Sequence, residues 1–126
     1  MKLSALVALL AGNLSPADFS AAISEELLAH LRKLETLGGH APVQITEDAD
    51  VRLDHRGLSR LCRMYASGQL SAAELAYTAD VLQLSDQVEI SDSSIPDHLA
   101  ECTDPEINGP LTIARALEIA GNGAAV

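Results

Sequence analysis

The sequence predicts an all-α fold: a single compact bundle of five to six helices over residues 1–126, with a segment near residues 43–53 that reads either as a small β-hairpin or as an extended connector. Three observations point there. Apolar residues recur at spacings of three and four through most of the chain, which is the signature of one buried helix face. Aromatic residues are confined to Phe19, Tyr65 and Tyr77, so the core must be built from Leu, Ile, Val and Ala, and Ala and Leu are the strongest helix formers. Helix caps and breakers punctuate the pattern throughout. A length of 126 residues is near the commonest domain size, and 48% apolar residues argue against disorder.

The first predicted element occupies residues 1–12, where Leu3, Leu6, Val7 and Leu10 mark one face of a core helix. This run resembles a short signal peptide, but it carries only Lys2 ahead of it and has no small-x-small cleavage site. Asn13 stands where a lipoprotein signal needs cysteine. The run is too short to span a membrane, so the expectation is a cytoplasmic protein without membrane contact. Ser15-Pro16 opens a second helix as N-cap and first helical residue, with Asp18 near the positive end of the helix dipole. Phe19, Ile23, Leu27, Leu31 and Leu34 then form its apolar stripe, and Gly38-Gly39 close it.

From His40 to Asp54 the period changes: Val43 and Ile45, then Val51 and Leu53, alternate with polar residues. Asp54 caps a third helix with Leu58, Leu61, Cys62 and Tyr65 inward. Ser71 and Glu74 form a capping box ahead of a fourth helix carrying Leu75, Ala79 and Leu82. The short connection between these two favours an antiparallel pair. Gln87 to Ile90 is a short polar–apolar alternation. Ser94 begins a fifth helix with Leu99 and Cys102, and Pro105 with Asn108-Gly109-Pro110 breaks the chain. A last helix runs from Thr112 to Ala120 through Ile113, Leu117 and Ala120, leaving residues 121–126 as a frayed tail.

Charge is distributed unevenly. The net charge is −10, and between Arg63 and Arg115 there is no lysine or arginine, yet nine carboxylates: Glu74, Asp80, Asp86, Glu89, Asp92, Asp97, Glu101, Asp104 and Glu106. One-sided charge raises the local potential and steers oppositely charged partners. It disfavours direct binding of nucleic acid or anionic membrane, which require Lys and Arg. Arg52, Arg56, Arg60 and Arg63 crowd just before this stretch. They read as a basic patch for phosphate or an acidic partner, or as an internal counter-charge for Asp48, Asp50, Asp54 and the acidic half; the second reading is preferred.

Motifs for chemistry are missing. An EF-hand loop starting at Asp48 fails at Arg52, Leu53 and Ser59. His98 and Cys102 share a helix face at i, i+4, but no second pair of ligands matches them, so they read as a partly buried histidine beside a core thiol. Two cysteines do not make a disulfide framework and read as buried free thiols. No nucleophile elbow, phosphate-cradling glycine loop or zinc-protease motif is present. The expectation is a non-enzyme with no cofactor and no metal.

At Leu70-Ser71-Ala72-Ala73-Glu74-Leu75, through Asp80-Val81-Leu82, to Thr103-Asp104-Pro105-Glu106-Ile107-Asn108-Gly109-Pro110, the chain resembles small acidic immunity proteins of bacterial toxin systems, with contact-dependent growth inhibition the nearest case. The resemblance is one of style over roughly residues 70–110. It implies a one-to-one complex with a cognate toxin domain, often a basic nuclease. The expected function is therefore inhibition of a basic protein partner through an acidic face drawn from Asp86, Glu89, Asp92, Asp97, Glu101, Asp104 and Glu106. The alternatives are a nucleic-acid mimic that blocks a host defence complex and a non-catalytic scaffold or self-association domain.

Overall fold

Six helices form among the residues that the computed structural model describes, which are 1–36, 43–103 and 111–124. They are α1 (Leu3–Ala11), α2 (Pro16–Thr36), α3 (His55–Ala66), α4 (Ala72–Leu84), α5 (Ile95–Thr103) and α6 (Ile113–Ala124). Their starts follow from the caps. The Ser15 hydroxyl accepts the Asp18 N–H at 3.1 Å, and the Asp54 carboxylate accepts the Gly57 N–H at 2.9 Å. At α4 the capping box is complete: Ser71 Oγ accepts the Glu74 N–H at 3.1 Å while Glu74 Oε1 accepts the Ser71 N–H at 2.8 Å. Replacing Ser71 with Ala removes the first of these bonds, and a loss of about 1 kcal/mol is expected in urea denaturation, with the m-value unchanged. The Gly38-Gly39 stop and the Asn108-Gly109-Pro110 break lie outside the described residues.

Two strands, β1 (Val51–Leu53) and β2 (Val88–Ile90), pair in parallel, with Val51 opposite Val88, Arg52 opposite Glu89 and Leu53 opposite Ile90. The small β element near residues 43–53 is therefore half of a crossover pair and not a hairpin. A parallel pair needs a long connection, and α3 with α4 supplies it. Val43 and Ile45 contribute no strand; they pack partly buried against the core, and Thr46 forms an isolated parallel bridge with Lys2. Val51 and Leu53 are buried on one side of the ribbon while Arg52 between them faces solvent.

The core is almost wholly aliphatic around Phe19 and Tyr77. In α4, Leu75, Tyr77, Thr78, Ala79, Val81 and Leu82 are all buried, so this helix runs through the interior and contacts α2 and α5. The main partner of α3 is α6, not α4. There the Ser59 hydroxyl donates to the Ala120 carbonyl at 3.0 Å, and the Tyr65 hydroxyl donates to the carbonyl of Leu111. The faces are rotated from the sequence reading at both ends of the chain. In α1 the buried residues are Leu3, Leu6 and Leu9, with Val7 exposed. In α6, Ala116, Ile119 and Ala120 are buried and Ile113 and Leu117 lie outside, because the small side chains at 116 and 120 let α3 pack closely. That helix also continues past Ala120 to Ala124.

Candidate functional site

The parallel pairing of β1 and β2 decides where the acids stand. It sets Asp50 and Arg52 beside Asp86 and Glu89, and together they line a shallow cleft of about 470 Å³. Asp86 and Glu89 are exposed, and their side chains hold no hydrogen bond or ion pair among the described residues; the same is true of Asp50. Three carboxylates therefore face one guanidinium across the cleft, and none is tied to it.

The other acids meet different fates. Asp92 accepts the Ser94 N–H and hydroxyl, each at 2.8 Å, and lies 3.3 Å from His55 Nε2. The Ser94 backbone bond, then the Ser94 hydroxyl and His55, hold its carboxyl down at about 2. Its work is local: it fixes the turn before α5 and links it to the start of α3. Glu101 is clasped by Arg115, with Nε at 3.0 Å and Nη2 at 3.1 Å, and it also meets His98 Nδ1 at 3.4 Å. The Arg115 guanidinium keeps the Glu101 carboxyl below the usual carboxylate range, and Arg115 in turn reaches Glu118 at 3.0 Å. This two-pronged pair ties α5 to α6. Asp97, one turn before Glu101 on α5, is exposed and its side chain is unpaired among the described residues. Asp104 and Glu106 lie outside the described residues. The acidic set is thus divided: Asp86 and Glu89 share a cleft, Asp97 stands free on α5, and Asp92 and Glu101 are used within the fold.

The expectation that Arg52, Arg56, Arg60 and Arg63 serve as internal counter-charges does not hold. The Arg52, Arg56 and Arg63 side chains make no hydrogen bond or ion pair among the described residues. Arg60 donates through Nη1 to the Leu10 carbonyl at 3.1 Å, at the C-terminal end of α1, and not to a carboxylate. Arg52, Arg56 and Arg60 border a cleft of about 540 Å³ together with Asp50 and Asp54, but no contact ion pair forms there among the described residues, and Arg56, Arg60 and Arg63 align on one face of α3. These last three line a groove of about 760 Å³ between α3, the end of α1 and the start of α2.

Compared with models of known families, with curated proteins and with solved structures, the chain matches none of them.

Among the described residues no three His, Cys, Asp or Glu side chains converge as a metal site would require. His98 turns to Glu101, and Cys102 lies against Cys62, both thiols buried and free. Hydrogen bonding to Cys62, with burial, pushes the Cys102 thiol up, which keeps it the protonated donor. Among the described residues no helix is long and apolar enough to cross a membrane. Sequence reasoning missed two members of the surface. Asp50 joins Asp86 and Glu89 only through strand pairing, and the arginine groove needs the approach of α1 and α2 to α3. The signals were the twin alternations at 51–53 and 88–90 and the i, i+4, i+7 spacing of the arginines.

Proposed function

We propose that the chain is a non-catalytic binding protein that acts in the cytoplasm by covering a basic surface of another protein, as an immunity protein covers its toxin. The observation that supports this reading is the cleft where Asp50, Asp86 and Glu89 stand exposed without partners. Asp97 adds a further free carboxylate on α5. Carboxylates already paired in the fold give little to an incoming cation; unpaired ones keep their whole field for it. A chain of net charge −10 accelerates encounter with a basic partner, and opposite potentials suppress wrong partners. Asp92 and Glu101 take the supporting role of holding α5 in place.

The reading expects a basic protein domain encoded beside this chain's gene, and the test is association with that domain, followed by stopped flow over a range of salt. Reversing Asp86, Glu89 and Asp97 to Lys breaks no hydrogen bond or ion pair among the described residues, so the fold is expected to persist with a modest loss of stability from Lys opposite Arg52 and at the start of α5. The association rate is expected to fall by roughly 10- to 100-fold and its salt dependence to flatten. Wild-type association that ignores salt, or a triple variant that binds as fast as wild type, overturns the reading. Glu101 is left out of the set because its reversal would break the clasp with Arg115.

A further inference from the structure

We infer that the groove lined by Arg56, Arg60 and Arg63 is a binding site for the phosphate group of a small ligand. The three side chains are spaced i, i+4 and i+7 on α3, which puts them on one face about one helical turn apart. Arg56 and Arg63 are exposed and hold no partner among the described residues, so their planar forks are free to take an oxyanion two oxygens at a time. Arg60 is held in place differently. Its Nη1 rests on the Leu10 carbonyl at 3.1 Å, which orients the guanidinium and leaves its remaining N–H groups for a ligand. Gly12 makes this approach possible: its φ of 81° is the left-handed region, and a Cβ there would stand 2.9 Å from Arg60 Nη1. The groove's volume of about 760 Å³ falls within the range of small-molecule sites.

The groove itself is lined by three guanidinium groups and no carboxylate, while Asp50 and Asp54 share only the adjoining cleft with Arg56 and Arg60; an oxyanion carrying more than one charge relieves the repulsion that remains. Among anions, a phosphate group presents several oxygens at once to several forks. The net charge of −10 decides the size of the ligand. Charges beyond about 8–10 Å are largely screened at physiological salt, so a small anion touching the three forks feels them more strongly than it feels the acids of β2 and α5, with Asp50 and Asp54 beside Arg56 and Arg60 as the nearest opposing charges. A long polyanion lies across both the groove and the acidic surface and meets the repulsion in full. This site does not rest on the proposed binding of a basic partner.

The experiment is a titration of the folded chain with inorganic phosphate, followed by amide chemical shifts and thermal melting, against sodium chloride at matched ionic strength. Saturable shifts confined to residues 12–16 and 56–69 are expected, together with a rise in Tm that chloride does not reproduce. The double variant Arg56→Gln/Arg63→Gln, with helical content unchanged by circular dichroism, is expected to bind at least tenfold more weakly. The proposal fails if chloride produces the same shifts, if the double variant binds phosphate like the wild type, or if a short oligothymidylate binds the groove more tightly than phosphate does.

Discussion

Phe19→Ala is expected to cost about 3–5 kcal/mol, a large share of the total stability of a domain, which is of order 5–15 kcal/mol. Phe19 is the sole phenylalanine, is 0% exposed, and sits in the first turns of α2 where that helix meets the core. The core it belongs to is built mostly of leucines and isoleucines. They are anchored in helices and cannot collapse fully into the void, so the loss combines the transfer of the ring with the cavity left behind. Leu28→Ala, in the same helix but 54% exposed, is the control and is expected to change stability by less than about 0.5 kcal/mol. Urea melts of both variants give the comparison through the midpoint at constant m. Equal costs for the two would show that α2 is not anchored through its first half.

That contrast also shows how far periodicity carries. The stripe Phe19, Ile23, Leu27, Leu31, Leu34 is visible in the sequence, and its first half is buried as the spacing implies. Leu31 is 36% exposed all the same. A helix of 21 residues is about 32 Å long, while the 9 residues of α1 cover about 14 Å, so the far half of α2 outruns that partner. Period announces a face; it does not say how much of the face finds something to cover it. Caps behaved better because they are decided within one turn. Ser15, Asp54 and the Ser71–Glu74 box all bond as their spacing requires. Strand pairing lay at the other extreme. Both alternations were legible, but their partnership spans the length of two helices, and nothing local distinguishes a parallel crossover from a hairpin with residues 43–45.

The surface divides along the same line. Which residues are acidic is plain in the sequence; which acids remain unspent depends on long-range contacts. Glu101 and Asp97 differ by one helical turn, yet Arg115 from the next helix engages one and leaves the other. The arginines illustrate the converse. Charge balance suggested that they neutralise nearby acids, but the rotation of α3 points Arg56, Arg60 and Arg63 toward α1 and the start of α2. Helix rotation is set by the burial of Leu58, Leu61 and Cys62, and the arginines follow to wherever the opposite face looks.

The alkaline limit of the fold is expected to be set in part by Tyr77. Its side chain is buried, with the ring 5.0 Å from that of His30 in an edge-on arrangement. The hydroxyl donates to Glu26 Oε2 at 2.8 Å and accepts the Gln44 N–H at 2.9 Å; the same carboxylate is ion-paired with the Met1 ammonium. Burial foremost, reinforced by the Glu26 carboxylate against the opposing Gln44 N–H, pushes the phenol up to about 12 from its ordinary 10. The unfolded chain releases this proton near pH 10, while the folded chain holds it until about pH 12. The stabilisation is therefore complete below pH 10 and is lost as pH rises through that interval, by about 2–3 kcal/mol in all. Lysines and thiols also titrate there, so the decisive quantity is the difference between wild type and Tyr77→Phe. The variant is expected to lose about 1–2 kcal/mol at neutral pH, because the Gln44 N–H is left without its acceptor. It should then show a shallower decline from pH 10 to 12, until the two curves converge or cross. Stability measured by urea melts at intervals between pH 8 and 12 tests this, and parallel curves over that whole range would mean that Tyr77 is not the group whose proton the fold retains.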